Sequence, residues 1–147
     1  MNKKLVYLVQ TDTTVGFSSS DDEKLSNIKH RPSSQKILQT VDSFKTLQEH
    51  TRIPKKYRKM IRRASRSTFI YPNLSSFRVI DKKDSFFDFI YKFNNLFSTS
   101  ANRTQTNFEY NFASENSDVI VFTNENFSEK ASSSIFKVSK KSIIKIR

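Results

Sequence analysis

The sequence predicts an α/β protein, an open, twisted, mixed sheet with flanking helices, and three observations carry that prediction. Lys4 to Val9 is a continuous apolar run with β-branched and aromatic content, the composition of a buried strand. Segments with helical spacing of apolar residues then alternate with short strand-like runs. Three strand-like runs, Asp118 to Phe122, Ile135 to Val138 and Ile143 to Ile146, close the chain. At 147 residues, one domain over 1–147 is long enough to bury most of its apolar surface in a single core.

After the first strand, Gln10-Thr11-Asp12-Thr13-Thr14-Val15-Gly16 reads as a polar turn. Asp21 or Asp22 is placed to cap a short helix with Leu25 and Ile28 inward, stopped by Arg31-Pro32. Gln35 to Val41 has strand character around Ile37, Leu38 and Val41, and Asp42 or Ser43 caps a helix with Phe44 and Leu47 inward. Pro54 suits the first turn of the next helix, where Tyr57, Met60, Ile61 and Ala64 recur at helical spacing. Thr68 to Tyr71 and Phe77 to Ile80 form two more strands around a Pro72-Asn73 turn. Phe86, Phe89, Ile90 and Phe93 make the inner stripe of a helix begun by Asp84 or Ser85. Leu96 to Thr99 is a short strand, and Arg103 to Ser117 is polar and reads as loop.

Composition narrows the function. With no Cys, disulfide frameworks, thiol nucleophiles and Cys-based zinc sites are excluded, in keeping with a reducing cytoplasm. His30 and His50 lie too far apart for a local metal motif, so no protein-ligated metal is expected. A single glycine excludes Rossmann and Walker phosphate loops, which need several. The apolar run after Met1-Asn2-Lys3-Lys4 is too short for a signal or membrane segment. A formal charge of +12 favours polyanions such as RNA, nucleotides or anionic lipid.

Four stretches are candidates for chemistry. In Lys29-His30-Arg31-Pro32, an extended backbone would turn Lys29 and Arg31 to one side. Together they would suit a ligand bearing carboxylate and phosphate; the alternative is solvated surface. The threonine-rich turn can hold a polar ligand at a strand's C-terminal end, or be an ordinary cap. Lys55, Lys56, Arg58, Lys59, Arg62, Arg63 and Arg66 form a basic face with no acid between Glu49 and Asp81. That face would either stay solvated or grip an RNA backbone through phosphates, without reading sequence. Ser98-Thr99-Ser100-Ala101-Asn102, of small hydroxyl and amide side chains, would let donors approach a ligand closely, or be a plain turn.

The order of these pieces resembles the Sua5/YciO/YrdC family, the threonylcarbamoyl-AMP synthases of transfer-RNA modification. The family's Pro-Thr-Glu-Thr-x-Tyr-Gly turn is similar to Gln10 to Gly16, and its Lys-x-Arg-Pro segment to Lys29 to Pro32. Its Leu-Thr strand and following Arg-hydrophobic-Pro strand are echoed by Ser67 to Pro72 and Phe77-Arg78-Val79-Ile80. Its Ser-Thr-Ser-Ala-Asn turn stands intact at Ser98 to Asn102. Ser132-Ser133-Ser134-Ile135 approximates the Pro-Ser-Thr-Ile strand, and Ile146-Arg147 the terminal Ile-Arg.

The resemblance implies a YrdC-like domain with a concave basic cavity and a nucleotidyltransferase reaction. L-threonine, bicarbonate and ATP, the last with Mg²⁺, would give threonylcarbamoyl-AMP and pyrophosphate. It implies that Thr11 and Thr13 seat the amino acid and that Lys29 and Arg31 act as the catalytic cations. Ser100 would meet both substrate and nucleotide, with Thr68, Asn102, Ser133, Ser134 and Arg147 on the nucleotide side. Partners would be the transfer-RNA modification proteins. The departures are Gln10, Asp12 and Val15 in the first motif, Arg103 after Asn102, the serines of the late strand, a shorter chain and no counterpart of the leading helix. They keep a second reading open, a YrdC-like module without catalysis that binds nucleotide, or holds double-stranded RNA or transfer RNA along Lys55 to Arg66. A third is a basic subunit of a modification complex.

Overall fold

The computed structural model describes residues 1–147. In chain order the elements are β1 (Tyr7–Gln10), β2 (Val15–Ser19), α1 (Asp22–Ile28), β3 (Gln39–Val41) and α2 (Phe44–His50). A 3-10 turn (Lys55–Tyr57) leads to α3 (Arg58–Arg63), β4 (Ser67–Ile70), β5 (Ser76–Val79), α4 (Phe87–Tyr91) and β6 (Asn95–Ser100). The chain closes with α5 (Tyr110–Glu115), β7 (Val119–Ile120), β8 (Ser134–Val138) and β9 (Ile143–Lys145). All nine strands join one sheet in the order β7-β1-β2-β6-β3-β5-β4-β8-β9. Three pairings are parallel (β1 with β7, β3 with β5, β4 with β8) and the other five are antiparallel. The mixed α/β sheet expected from the sequence is therefore present.

Strand periodicity sorts the side chains into two faces. On the back face, Phe69, Phe77 and Val41 pack with Leu47, Ile53 and Ile61 from the α2 and α3 region. Leu8, Val15 and Phe17 pack on the same face with Leu25 of α1 and Ala113 of α5. On the front face, Tyr7, Val9 and Leu96 meet Phe86, Phe89, Ile90 and Phe93 around α4. Helix α4 lies over the front beside β3 and β6, at the end of the sheet that bears Tyr7, Leu96 and Ile80. Beyond it, from β6 across to β8, the front face bears Ser98, Ser100, Arg78, Ser76, Thr68 and Ile135 and lines a cavity. An apolar set at these positions would have needed another helix to cover it; a polar set leaves a hollow.

Local chemistry explains the short helices. The Asp21 carboxylate accepts a hydrogen bond from the Lys24 N–H (3.1 Å), with Asp22 and Glu23 in the positive first turn of α1. The Ser43 hydroxyl accepts one from the Thr46 N–H (3.1 Å) in α2. With one glycine available, left-handed positions fall to His30, Arg66, Leu74, Asn94 and Gln105. No helix is long and apolar enough to cross a membrane.

Several expectations are corrected. The turn at Gln10 to Gly16 continues directly into β2, a strand hidden from periodicity because Gly16, Ser18 and Ser19 are buried with Val15 and Phe17. Part of the expected Arg103–Ser117 loop is α5, held by burial of Ala113. The basic helix is a 3-10 turn followed by six-residue α3, and Met60 is 42% exposed while Ile61 alone of that helix is buried. The strand expected to reach Phe122 stops at Ile120, leaving Phe122 76% exposed.

Candidate active site

The cavity, of about 520 Å³, is built from three walls. The β1–β2 turn supplies Thr11, Thr13 and Thr14; the end of β6 supplies Ser98, Thr99, Ser100, Ala101 and Asn102. The far wall comes from β4 and β8, with Thr68, Ser133 and the Arg147 side chain. Its charged lining is Arg78, Lys130 and Arg147 against Glu129, three cations to one anion.

The turn wall is shaped by its own hydroxyls. Thr11 Oγ1 donates to the Thr14 carbonyl (2.5 Å) and accepts from the Thr13 and Thr14 N–H groups, both at 3.2 Å. The Thr11 hydroxyl is thereby spent on folding the turn, and the Thr13 hydroxyl, 3.4 Å away, can donate to it or to a ligand in the cavity. Gln10 ties the turn to the late loop: its side-chain amide oxygen Oε1 accepts from the Ser128 N–H (2.8 Å). Gly16 sits opposite Ser100, and a Cβ there would come within 2.9 Å of the Thr99 carbonyl oxygen. This close approach explains why the one glycine stands where two strands must meet under the cavity.

The floor holds a buried ion pair. The Arg78 guanidinium Nη2 lies 2.9 Å from Asp12 Oδ1, and both side chains are almost wholly buried. Burial raises the Asp12 carboxyl above its ordinary value, against the opposing pull of Arg78. The Arg78 Nε has no partner within the protein although the side chain lines the cavity. An unsatisfied buried donor of this kind is costly, and the cost falls on the floor of the cavity, which the rest of the Arg78 side chain lines. In the sequence Arg78 stands on a strand with nothing that marks it as a site residue but its place: an arginine between Phe77 and Val79, at the position that alternation turns away from the apolar core.

The far wall is knit by Thr68 and Ser133, whose hydroxyl oxygens lie 2.9 Å apart, and by Arg147, which donates from Nε (3.2 Å) and Nη2 (3.0 Å) to the Ser133 carbonyl. Ser134 does not line the cavity. It pairs with Ser67, and alternation along β8 turns it to the back face while Ser133 and Ile135 face front.

Lys29 and Arg31 are the larger correction. The segment is not extended: Lys29 is the C-cap of α1 and His30 takes φ 51, so the two cations do not share a side by strand alternation. Neither lines the cavity. The Lys29 ammonium instead reaches behind the β6 turn to the Ser100 carbonyl (3.1 Å), Asn102 Oδ1 (3.1 Å) and the Asn102 carbonyl. Burial, with a smaller contribution from Arg31, pushes its pKa down to about 8. Lys29 thus holds Ser100 and Asn102 in place from outside the hollow. Of the sequence-predicted site residues, Thr11, Thr13, Thr68, Ser100, Asn102, Ser133 and Arg147 come together; Lys29 supports them; Arg31 and Ser134 stand apart. The seven cations from Lys55 to Arg66 lie outside the cavity, on the 3-10 turn, on α3 and just after it. No cluster of three or more His, Cys, Asp or Glu side chains is placed to hold a metal ion.

Comparison with solved structures finds the same fold. E. coli YciO superposes with a TM-score of 0.76 at 13% identity, over 99% of this chain and 83% of that one. The chain has the Sua5/YciO/YrdC fold. P. abyssi Sua5 in complex with L-threonine gives 0.75 at 13% identity, over 97% of this chain and 50% of its own. Full-length HypF in its phosphate- and nucleotide-bound form gives 0.70 at 12%, over 97% of this chain and 26% of its own. This YrdC-like chain therefore spans half the length of that Sua5 chain. No family model matches the sequence, and no curated protein does.

Proposed function

We propose that the protein is a threonylcarbamoyl-AMP synthase acting in transfer-RNA modification. The observation that carries this reading is the convergence of the threonine turn, the Ser98–Asn102 turn and the Thr68–Ser133–Arg147 wall on one cavity around Arg78. The substrates are L-threonine, bicarbonate and ATP as its Mg²⁺ complex, the metal riding on the phosphates because the cavity offers no ligand cluster of its own. The threonine amine, carboxylated by bicarbonate with loss of water, presents a carbamate oxygen to the α-phosphorus. A new P–O bond forms as the bond to the β-phosphate oxygen breaks, and pyrophosphate leaves with the electron pair. No nucleophilic side chain is required; the protein aligns reactants and stabilises developing charge.

In this reading Thr13 meets the amino acid, and the Arg78 side chain in the cavity lining attracts a carboxylate, carbonate or phosphate oxygen by its charge. Ser100 and Asn102 meet the acyl-phosphate region, and Ser133 and Arg147 bound the nucleotide. Lys29 is a positioning residue for Ser100 and Asn102 rather than a substrate ligand. Pyrophosphate release, assayed with L-threonine, bicarbonate and ATP omitted in turn, tests the reaction: release that needs all three supports it, and none with all three present ends it.

A second reading, a nucleotide-binding module without turnover, is favoured by one observation: Asp12 already neutralises the arginine that the chemistry would use. Calorimetric heat with ATP alone, in the absence of pyrophosphate release, selects it.

A further inference from the structure

Strand β5 presents Arg78 to the front cavity, and the next residue, Val79, lines a second hollow on the back of the sheet. That hollow, of about 630 Å³, lies among α2, α3 and the loop after β5. Five cations line it: Lys45, Arg62, Arg63, Lys82 and Lys83. Two carboxylates are present, Asp42 and Asp81, for a net charge of three positive (five less two). Neither acid forms an ion pair with the cations. The Asp42 carboxylate accepts from the hydroxyls of Thr46 (2.5 Å) and Ser43 (3.2 Å), and Asp81 accepts from the Lys83 backbone N–H (2.9 Å). The carboxylates thus serve the cap and the turn, and the side-chain charge of the hollow is left for something else.

The hollow is also partly preorganised. The Arg62 guanidinium lies 4.7 Å over the Phe44 ring, which fixes its plane and leaves its N–H fork free for an oxyanion. Arg63 and the lysine pair Lys82 and Lys83 approach from different elements, so the charges converge from more than one side of a concavity. Concave walls concentrate such a field more than a convex surface does.

We infer that this back hollow binds phosphate oxyanions, at a site separate from the front cavity and independent of the proposed reaction. The shared chemistry is a run of closely spaced phosphates, found in a free polyphosphate chain or in a nucleic-acid backbone. Two arginines supply bidentate contacts and three lysines supply point charges.

Calorimetry with tripolyphosphate, and fluorescence titration with a short RNA duplex over a salt series, would test this. The wild type is compared with Arg63→Gln/Lys82→Gln/Lys83→Gln and with a charge-matched control, Lys3→Gln/Lys92→Gln/Lys145→Gln. The substituted residues are exposed in both sets, and circular dichroism checks that each variant folds. Loss of tripolyphosphate affinity by about tenfold or more in the first variant and not the control supports a free polyphosphate ligand. Loss confined to the duplex, with the salt slope reduced by about three, supports the backbone source. Equal losses in both variants would mean net charge alone binds and would overturn the site. Unchanged binding of both ligands in the first variant would overturn it too, as would loss seen only with Arg78→Gln.

Discussion

Arg78 and Asp12 place opposite charges in the floor of the cavity, where each depends on the other. Removing one partner of such a buried pair leaves an uncompensated charge and costs about 3–5 kcal/mol, whereas replacing both by apolar groups is often neutral. Arg78→Met should therefore lower the urea midpoint sharply, and Arg78→Met combined with Asp12→Leu should recover most of the loss. Recovery of stability without recovery of ligand binding would separate the pair's role in folding from the role of Arg78 in the cavity. Lys29 gives a second measurement. In the unfolded chain its proton is held to the ordinary 10.5, but in the fold only to about 8. Between those values the unfolded state binds more protons, so this residue's contribution to stability rises with pH across the window and is lost as pH falls through about 8. Denaturation of wild type and Lys29→Met on either side of the window should show the difference moving in favour of wild type at the higher pH.

At the scale of elements, β2 and β6 form the seam under the cavity, and Gly16 sets how closely they approach. Gly16→Ala would drive a methyl group into the Thr99 carbonyl and should cost about 1–3 kcal/mol, as overpacking does. Chemical denaturation gives the cost, and ligand titration should show weaker binding from a displaced Ser98–Asn102 turn. The elements that were legible in the sequence were those whose burial is one-sided. The Phe86-Phe89-Ile90-Phe93 stripe, the caps at Asp21 and Ser43 and the apolar first strand all declare themselves through spacing. Strand β2 did not, because it is buried on both faces and its inward residues include glycine and serines. Helix α5 did not, because only Ala113 is buried along its length. In the site, the hydroxyl turns were legible from composition. The partners of Lys29 were not, because its contacts lie more than seventy residues away, at |i−j| of 71 and 73.

Across the whole molecule, the sheet divides the labour. Its back carries two apolar clusters under α1, α5, α2 and α3, and its front carries one cluster under α4 beside the open cavity. The margins of the sheet differ in kind from its centre. The outermost strands are among the shortest, β7 with two residues and β9 with three, and Lys145 interrupts the exposed Ile144 and Ile146 at the β9 margin. Unpaired amide and carbonyl groups on a long, flat, greasy margin would invite another chain to extend the ladder. Here the available template is brief at both sides and charged at one, so stacking of copies into fibrils has little to start from. Lys145→Val would join Ile143 to Ile146 into one apolar run, and light scattering at rising concentration should register earlier aggregation with the native fold otherwise unchanged.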